Sequence, residues 1–249
     1  MIKIERIPPP PELTEDITKE LREKYEQDGT SVWNKGYIKR DLLTMSSNKC
    51  SYCECLVNEE SKYMEVEHFY PKNDYPDLVI EWSNLLPSCK RCNVNKLDYD
   101  PNVEPIINPC DIDPKEHLGM RLYRLIGKDN IGKNTIDILY LNEMERLVLP
   151  RFLIGNQTQD SLDDILNKIT MYQQGVTNGT RNRNIIVNGF KNLLKQGMPD
   201  KEYAATVSTV LLNDCKYSEC KDLLIQLNLW DDELIELEIT LSNVKLETL

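Results

Sequence analysis

The chain has 249 residues, 40% of them hydrophobic, and a formal net charge of −11. That length supports one large domain or two small ones around a real core, and no run approaches the roughly 18 apolar residues of a membrane span. So large an excess of acids argues against a free-standing, tight nucleic-acid binder, because neutralising phosphates takes clustered Lys and Arg. The opening Met1 to Arg6 lacks the apolar core of a signal peptide. Pro8 to Pro11 stiffens an extended arm, either a lead-in to the next helix or a docking segment. Thr14 is placed to cap a charged helix with Ile17, Leu21 and Tyr25 along one side. Trp33, Tyr37, Ile38, Leu42 and Met45 recur at roughly helical spacing, which predicts a second helix over 33–45, its apolar stripe packed on the cysteine-bearing segment that begins at Asn48. Tyr63 to Phe69 alternates as a strand should, and Tyr70 to Asp77 reads as a loop.

Alternation sends neighbours Glu67 and His68 to opposite faces, so the strand is expected to twist or end at that pair. Leu85 and Leu86 are expected to be buried, with Pro87 ending their element, and Cys92 to about Leu97 to form a short helix. Pro101, Pro105 and Pro109 interrupt regular structure, and Thr135 is placed to cap the next helix. Further helices are expected at about 142–154, 160–173, 180–196, 200–213 and 216–241, the last apolar on one face and acidic on the other. The fold class is therefore α+β and predominantly helical, in three regions: an arm with helices over 1–47, a core over 48–109 and a helical region over 110–249 that is a candidate for partner docking. His117, the second of two histidines, has no thiol near it in sequence and reads as structural.

Chemistry concentrates between Cys50 and Lys96. Two Cys-x-x-Cys pairs, Cys50/Cys53 and Cys89/Cys92, have the spacing of a four-cysteine structural zinc site, each pair turning two thiolates toward one ion. The remaining Cys55, Cys110, Cys215 and Cys220 form no regular framework, and a reducing cytoplasm is the simpler setting. Residues 88–96 hold three positive charges and no acid, whereas 219–249 hold eight acids against Lys221 and Lys245.

The order Cys-x-x-Cys, Glu67-His68, Asn84, Cys-x-x-Cys-Asn93-x-x-Lys96 resembles the HNH nucleases and their ββα-metal finger. The resemblance implies that His68 is the general base and that Glu67 and Asn93 hold a catalytic Mg²⁺ or Mn²⁺. It implies further that Asn84 orients the imidazole, and that Lys96, with Lys90 and Arg91 beside it, contacts phosphate. Glu67 departs from the more usual Asp or His. The flanks, Ile4-x-Arg6-x-Pro8-Pro9-Pro10, Val66 to Lys72, Trp82-x-Asn84-Leu85-Leu86 and Ile107-Asn108-Pro109, narrow the resemblance to the PtuB nucleases of Septu anti-phage systems. That implies DNA as substrate and an ABC/SMC-like ATPase partner of the PtuA kind. Three rivals stay open on sequence: an RNA-cleaving nuclease of the same type, a stand-alone restriction enzyme and a zinc-held adaptor without catalysis.

Overall fold

A computed structural model describes residues 1–58 and 63–249. The chain divides into two compact units, the first made of 1–117 and 126–142, the second of 118–125 and 143–249.

In the first unit, helix α1 (Glu15–Asp28) starts at Thr14, whose hydroxyl accepts the Ile17 amide at 3.3 Å. It stops at Gly29, whose φ of 69° is one an L side chain resists. Helix α2 (Gly36–Met45) is shorter than the apolar stripe suggested: Trp33 precedes it, and Ile38, Leu42 and Met45 are the residues its buried face supplies. That face packs on an antiparallel hairpin of β1 (Met64–His68) and β2 (Leu85–Cys89), in register from Met64 opposite Cys89 to His68 opposite Leu85. Pro87 does not end β2. It lies opposite Val66 in a two-stranded ribbon, where its missing N–H costs the ladder little. Its carbonyl is used instead by Ser51, whose amide and hydroxyl both donate to it at 2.9 Å.

Helix α3 (Lys90–Lys96) comes directly after β2, completing a ββα order. The proline-rich arm is fastened to this hairpin. Arg6 donates to the carbonyls of Trp82 and Leu85 at 2.7 and 3.1 Å, and the Trp82 indole donates to Ile7 at 2.8 Å. Beyond the proline-broken stretch come α4 (Pro114–His117) and α5 (Asn130–Ile138). The cap of α5 is Asp129 and not Thr135, because an acceptor one residue ahead of the helix meets the free Gly132 amide at 2.8 Å. Thr135 is buried inside α5 and accepts the Ile107 amide at 2.8 Å. His117 Nδ1 meets the other Asp129 oxygen at 2.5 Å, which makes the pair a brace for that cap.

The second unit contains strands β3 (Leu118–Arg121) and β5 (Glu247–Thr248), paired in parallel; β4 (Arg124–Gly127) follows β3 and has only Arg124 and Leu125 in this unit. Its bulk is five helices: α6 (Leu149–Gln173), α7 (Gly179–Lys195), α8 (Ala204–Asn213), α9 (Cys215–Gln226) and α10 (Asp232–Val244). Two expected helices merge into α6, since the segment between them offers no Pro or Gly after Gly155 to break it. The long C-terminal helix instead splits into α9 and α10, because Asn228 takes a φ of 55° and Asp231 caps a new start. Ile165 and Ile169, Phe190 and Leu194, Leu211, Leu224, Leu234 and Leu241 form one apolar core. Leu224, Leu234, Leu237 and Leu241 of the acidic C-terminal stretch are therefore buried inside their own unit, while Ile225, Ile235 and Ile239 stay exposed. No helix among the described residues is long and apolar enough to cross a membrane.

Candidate active site

A tight turn after α2 brings the first pair of cysteines to the second. Ser47, Asn48 and Glu54 take positive φ values, and Cys50 closes the turn by donating its amide to Cys55 at 2.9 Å. Cys89 begins α3, and its sulfur accepts the Cys92 amide at 3.5 Å, so the second pair is fixed by helix capping. All four sulfurs lie within 4.8 Å of one another, with Cys53 and Cys89 3.8 Å apart. That separation is about the edge of a tetrahedron with zinc–sulfur bonds of about 2.3 Å. Cys55, 3.3 Å from Cys53, stays outside this group of four.

On β1, Glu65 and Glu67 share a face by the two-residue strand period, and α3 lies against that face. Asn93 and Lys96, three residues apart on α3, meet them in turn. Asn93 Nδ2 donates to Glu65 Oε2 at 2.5 Å, and Lys96 Nζ sits 2.8 Å from Glu67 Oε1. Glu67 and Lys96 are 2% and 1% exposed, so this ion pair is out of water. Burial pushes the Glu67 carboxyl up to about 7, against the pull of the Lys96 charge and hydrogen bond. Lys96 also donates to the His68 carbonyl at 2.8 Å. Its ammonium is committed inside the fold, which corrects the expectation that it reaches out to a phosphate.

His68 ends β1 and turns to the other face. Its Nε2 is 2.9 Å from the Val79 carbonyl, which can only accept, so Nε2 carries the proton and Nδ1 keeps a free lone pair. The Trp33 indole meets the ring edge-on at 4.7 Å. Burial drives the imidazole down to about 4, with Lys72 and Lys96 adding to the shift and the Val79 bond opposing it. The side chain is thus neutral at physiological pH, in the form a general base requires.

Asn84 makes no bond to that imidazole. Its Oδ1 accepts the Tyr70 amide at 2.7 Å, and its Nδ2 donates to the Tyr70 and Leu78 carbonyls, both at 3.1 Å. It clasps the two ends of the loop whose next residue, Val79, holds His68, so its influence on the imidazole passes through the backbone. Arg91 faces the sulfur cluster, donating to Cys92 Sγ at 3.5 Å, while Lys90 is exposed at the start of α3. Sequence reasoning missed Glu65, Val79 and Lys72. The first was signalled by its two-residue spacing from Glu67; a backbone carbonyl leaves no signal.

Comparisons with known proteins bear on the family of the chain. Residues 50–98 match the model of the HNH endonuclease family. The Septu protein PtuB of Bacillus thuringiensis is 46% identical over 94% of this chain and 90% of its own length. The chain belongs to the PtuB family of HNH endonucleases, and it is a nuclease. A second PtuB, from Bacillus mycoides, is 36% identical over 32% of this chain and 37% of its own length. The protein Ea31 of Escherichia phage lambda is 32% identical over 22% of this chain and 18% of its own length. No solved structure matches the chain. Membership of the PtuB family covers both units, whereas the HNH match is confined to the hairpin, α3 and the cysteine turn.

Proposed function

We propose that this chain is the nuclease of a Septu-type anti-phage defence complex, hydrolysing DNA phosphodiester bonds in a bacterial cell together with an ABC/SMC-like ATPase. The observation that carries the reading is His68: buried, held neutral, its proton fixed on Nε2 by Val79 and its Nδ1 lone pair left over. From that atom the side chain can take a proton from an attacking water. On the far side of the same strand end, Glu67, Asn93 and Glu65 are a hard, oxygen-rich donor set of the kind Mg²⁺ or Mn²⁺ takes. When bound, such a cation supplies Lewis-acid charge to the phosphate and leaving oxygen. Glu67 must be ionised to hold it, and Lys96 keeps that ionised form supplied with a counter-charge. Zinc on Cys50, Cys53, Cys89 and Cys92 fixes the start of α3 and hence Asn93 and Lys96.

The net charge of −11 supports dependence on a partner, because a chain so acidic is repelled by duplex DNA at long range. The test is cleavage of plasmid DNA and of tRNA by the purified chain, with and without Mg²⁺ and a co-expressed ATPase. The reading expects metal-dependent cutting of DNA, strengthened by the partner and lost in Glu67→Gln. Cutting confined to tRNA, or undiminished in Glu67→Gln, overturns it.

A further inference from the structure

A nuclease needs a cation to receive the anionic phosphate, and the three expected for this role are placed unevenly. Lys96 is buried on Glu67, Arg91 turns to the sulfurs and Lys90 sits at the outer end of α3. Lys72 is the exception. It lies in the loop that Asn84 clasps, four residues past His68, and no carboxylate among the described residues pairs with it. Its ammonium rests 5.5 Å from the centroid of the Trp33 ring. The same indole meets His68 edge-on at 4.7 Å and Tyr25 at 5.9 Å. Tyr25 also ties the loop, its hydroxyl donating to the Lys72 carbonyl at 3.4 Å. One aromatic side chain thus separates the candidate base from an unpaired cation and touches both. That side chain comes from the segment before α2, outside the 50–98 span of the HNH match.

We propose that Lys72, held over the Trp33 indole, contacts the substrate phosphate, and that Trp33 is a positioning residue for both Lys72 and His68. The proposal rests on His68 being the base of the nuclease site. A cation over an indole keeps its hydrogen-bond donors free on the side away from the ring, so the stacking orients the ammonium without consuming it. An edge-on aromatic contact likewise restrains the imidazole plane while leaving Nδ1 open. The first unit's N-terminal helices then do more than support the finger: they furnish one wall of its active site.

The test uses the full chain and a short DNA duplex, with four variants and His68→Ala alongside. Zinc content and thermal midpoint establish that each variant is folded. Lys72→Met is expected to raise KM about tenfold or more, the worth of a charge-assisted contact, and Lys72→Arg to restore most of it. Duplex binding, measured with Ca²⁺ in place of Mg²⁺, should lose about 0.9 from the slope of log affinity against log salt, one phosphate contact's share. Trp33→Ala should lower kcat as well as raise KM, because both neighbours lose their support, and Trp33→Phe should recover much of kcat. An unchanged KM and salt slope in Lys72→Met would overturn the phosphate role; unchanged kcat and KM in Trp33→Ala would overturn the positioning role. If His68→Ala itself still cuts, the site reading falls and the proposal with it.

Discussion

Both units bury apolar residues, but they differ in the polar groups buried beside them. In the first, Glu54, Glu67, His68, Asn84, Ser88 and Lys96 are all under 9% exposed, beside buried apolar residues such as Ile38, Leu42, Ile80, Leu85 and Ile107. In the second, helices α6 to α10 close on Leu, Ile, Val and Phe, with Phe190 stacked on Tyr217 at 5.7 Å. An apolar core is stable by itself and chemically inert. A polar one is costly unless every group is partnered, and is kept where the partners do chemistry. The four clustered cysteines of the first unit could hold a metal that braces its shape, and the second unit has no such cluster among the described residues.

The largest effect should come from that metal. Stripping zinc from the wild type removes about 10 kcal/mol of apparent binding energy, and Cys92→Ser removes a part of it. Hydrogen exchange should then show amides of β1, β2 and α3 exposed while α6 to α10 stay protected. Uniform loss of protection in both units would erase the contrast. Next in size, Phe190→Ala empties a fully buried position and should cost about 4 kcal/mol. Here the loss of protection belongs to the second unit, and zinc binding should be unchanged, as metal titration would report.

How much of this was legible beforehand divides along the same line. The cysteine spacing and the residues from Glu67 to Lys96 mark the chemistry, because ligands and bases must be particular residue types at particular intervals. Helix boundaries in the second unit were less legible: apolar periodicity runs through 142–173 without showing that it belongs to one helix, and Asn228 breaks another without Gly or Pro. The partners of the site residues were least legible. Glu67 with Lys96 and His68 with Val79 depend on which face of β1 meets α3, and only the folded hairpin decides that.

Lys96→Met sharpens the comparison within the first unit. It leaves Glu67 buried without its cation, at a cost of about 3 kcal/mol. Glu67→Gln added to it should return a good part of the loss, read from denaturant midpoints, because no charge then remains to strand. A double variant no more stable than Lys96→Met would show that the pair is not coupled as the 2.8 Å contact implies.

The smallest expected effect is a cancellation in pH dependence. Glu67, raised from 4.5 to about 7, favours the folded state at low pH and loses that contribution as pH climbs through 4.5–7. His68, lowered from 6.5 to about 4, works the other way, and stability falls as pH drops through that interval. Without added divalent cation, the wild type should vary little from these two groups between about 4.5 and 6.5. Removing one exposes the other: Glu67→Gln should gain stability as pH rises over that window, and His68→Ala should lose it. Matching slopes in the two variants would contradict the assigned shifts.

The most direct measurement is plasmid cleavage by wild type and His68→Ala, each confirmed to hold zinc, with and without added Mg²⁺. If β1 and α3 carry the chemistry and the cysteines only the shape, His68→Ala keeps its zinc and fold and loses cutting, while the wild type cuts only when Mg²⁺ is added. A zinc-loaded His68→Ala that cuts at the wild-type rate would contradict the account at its centre.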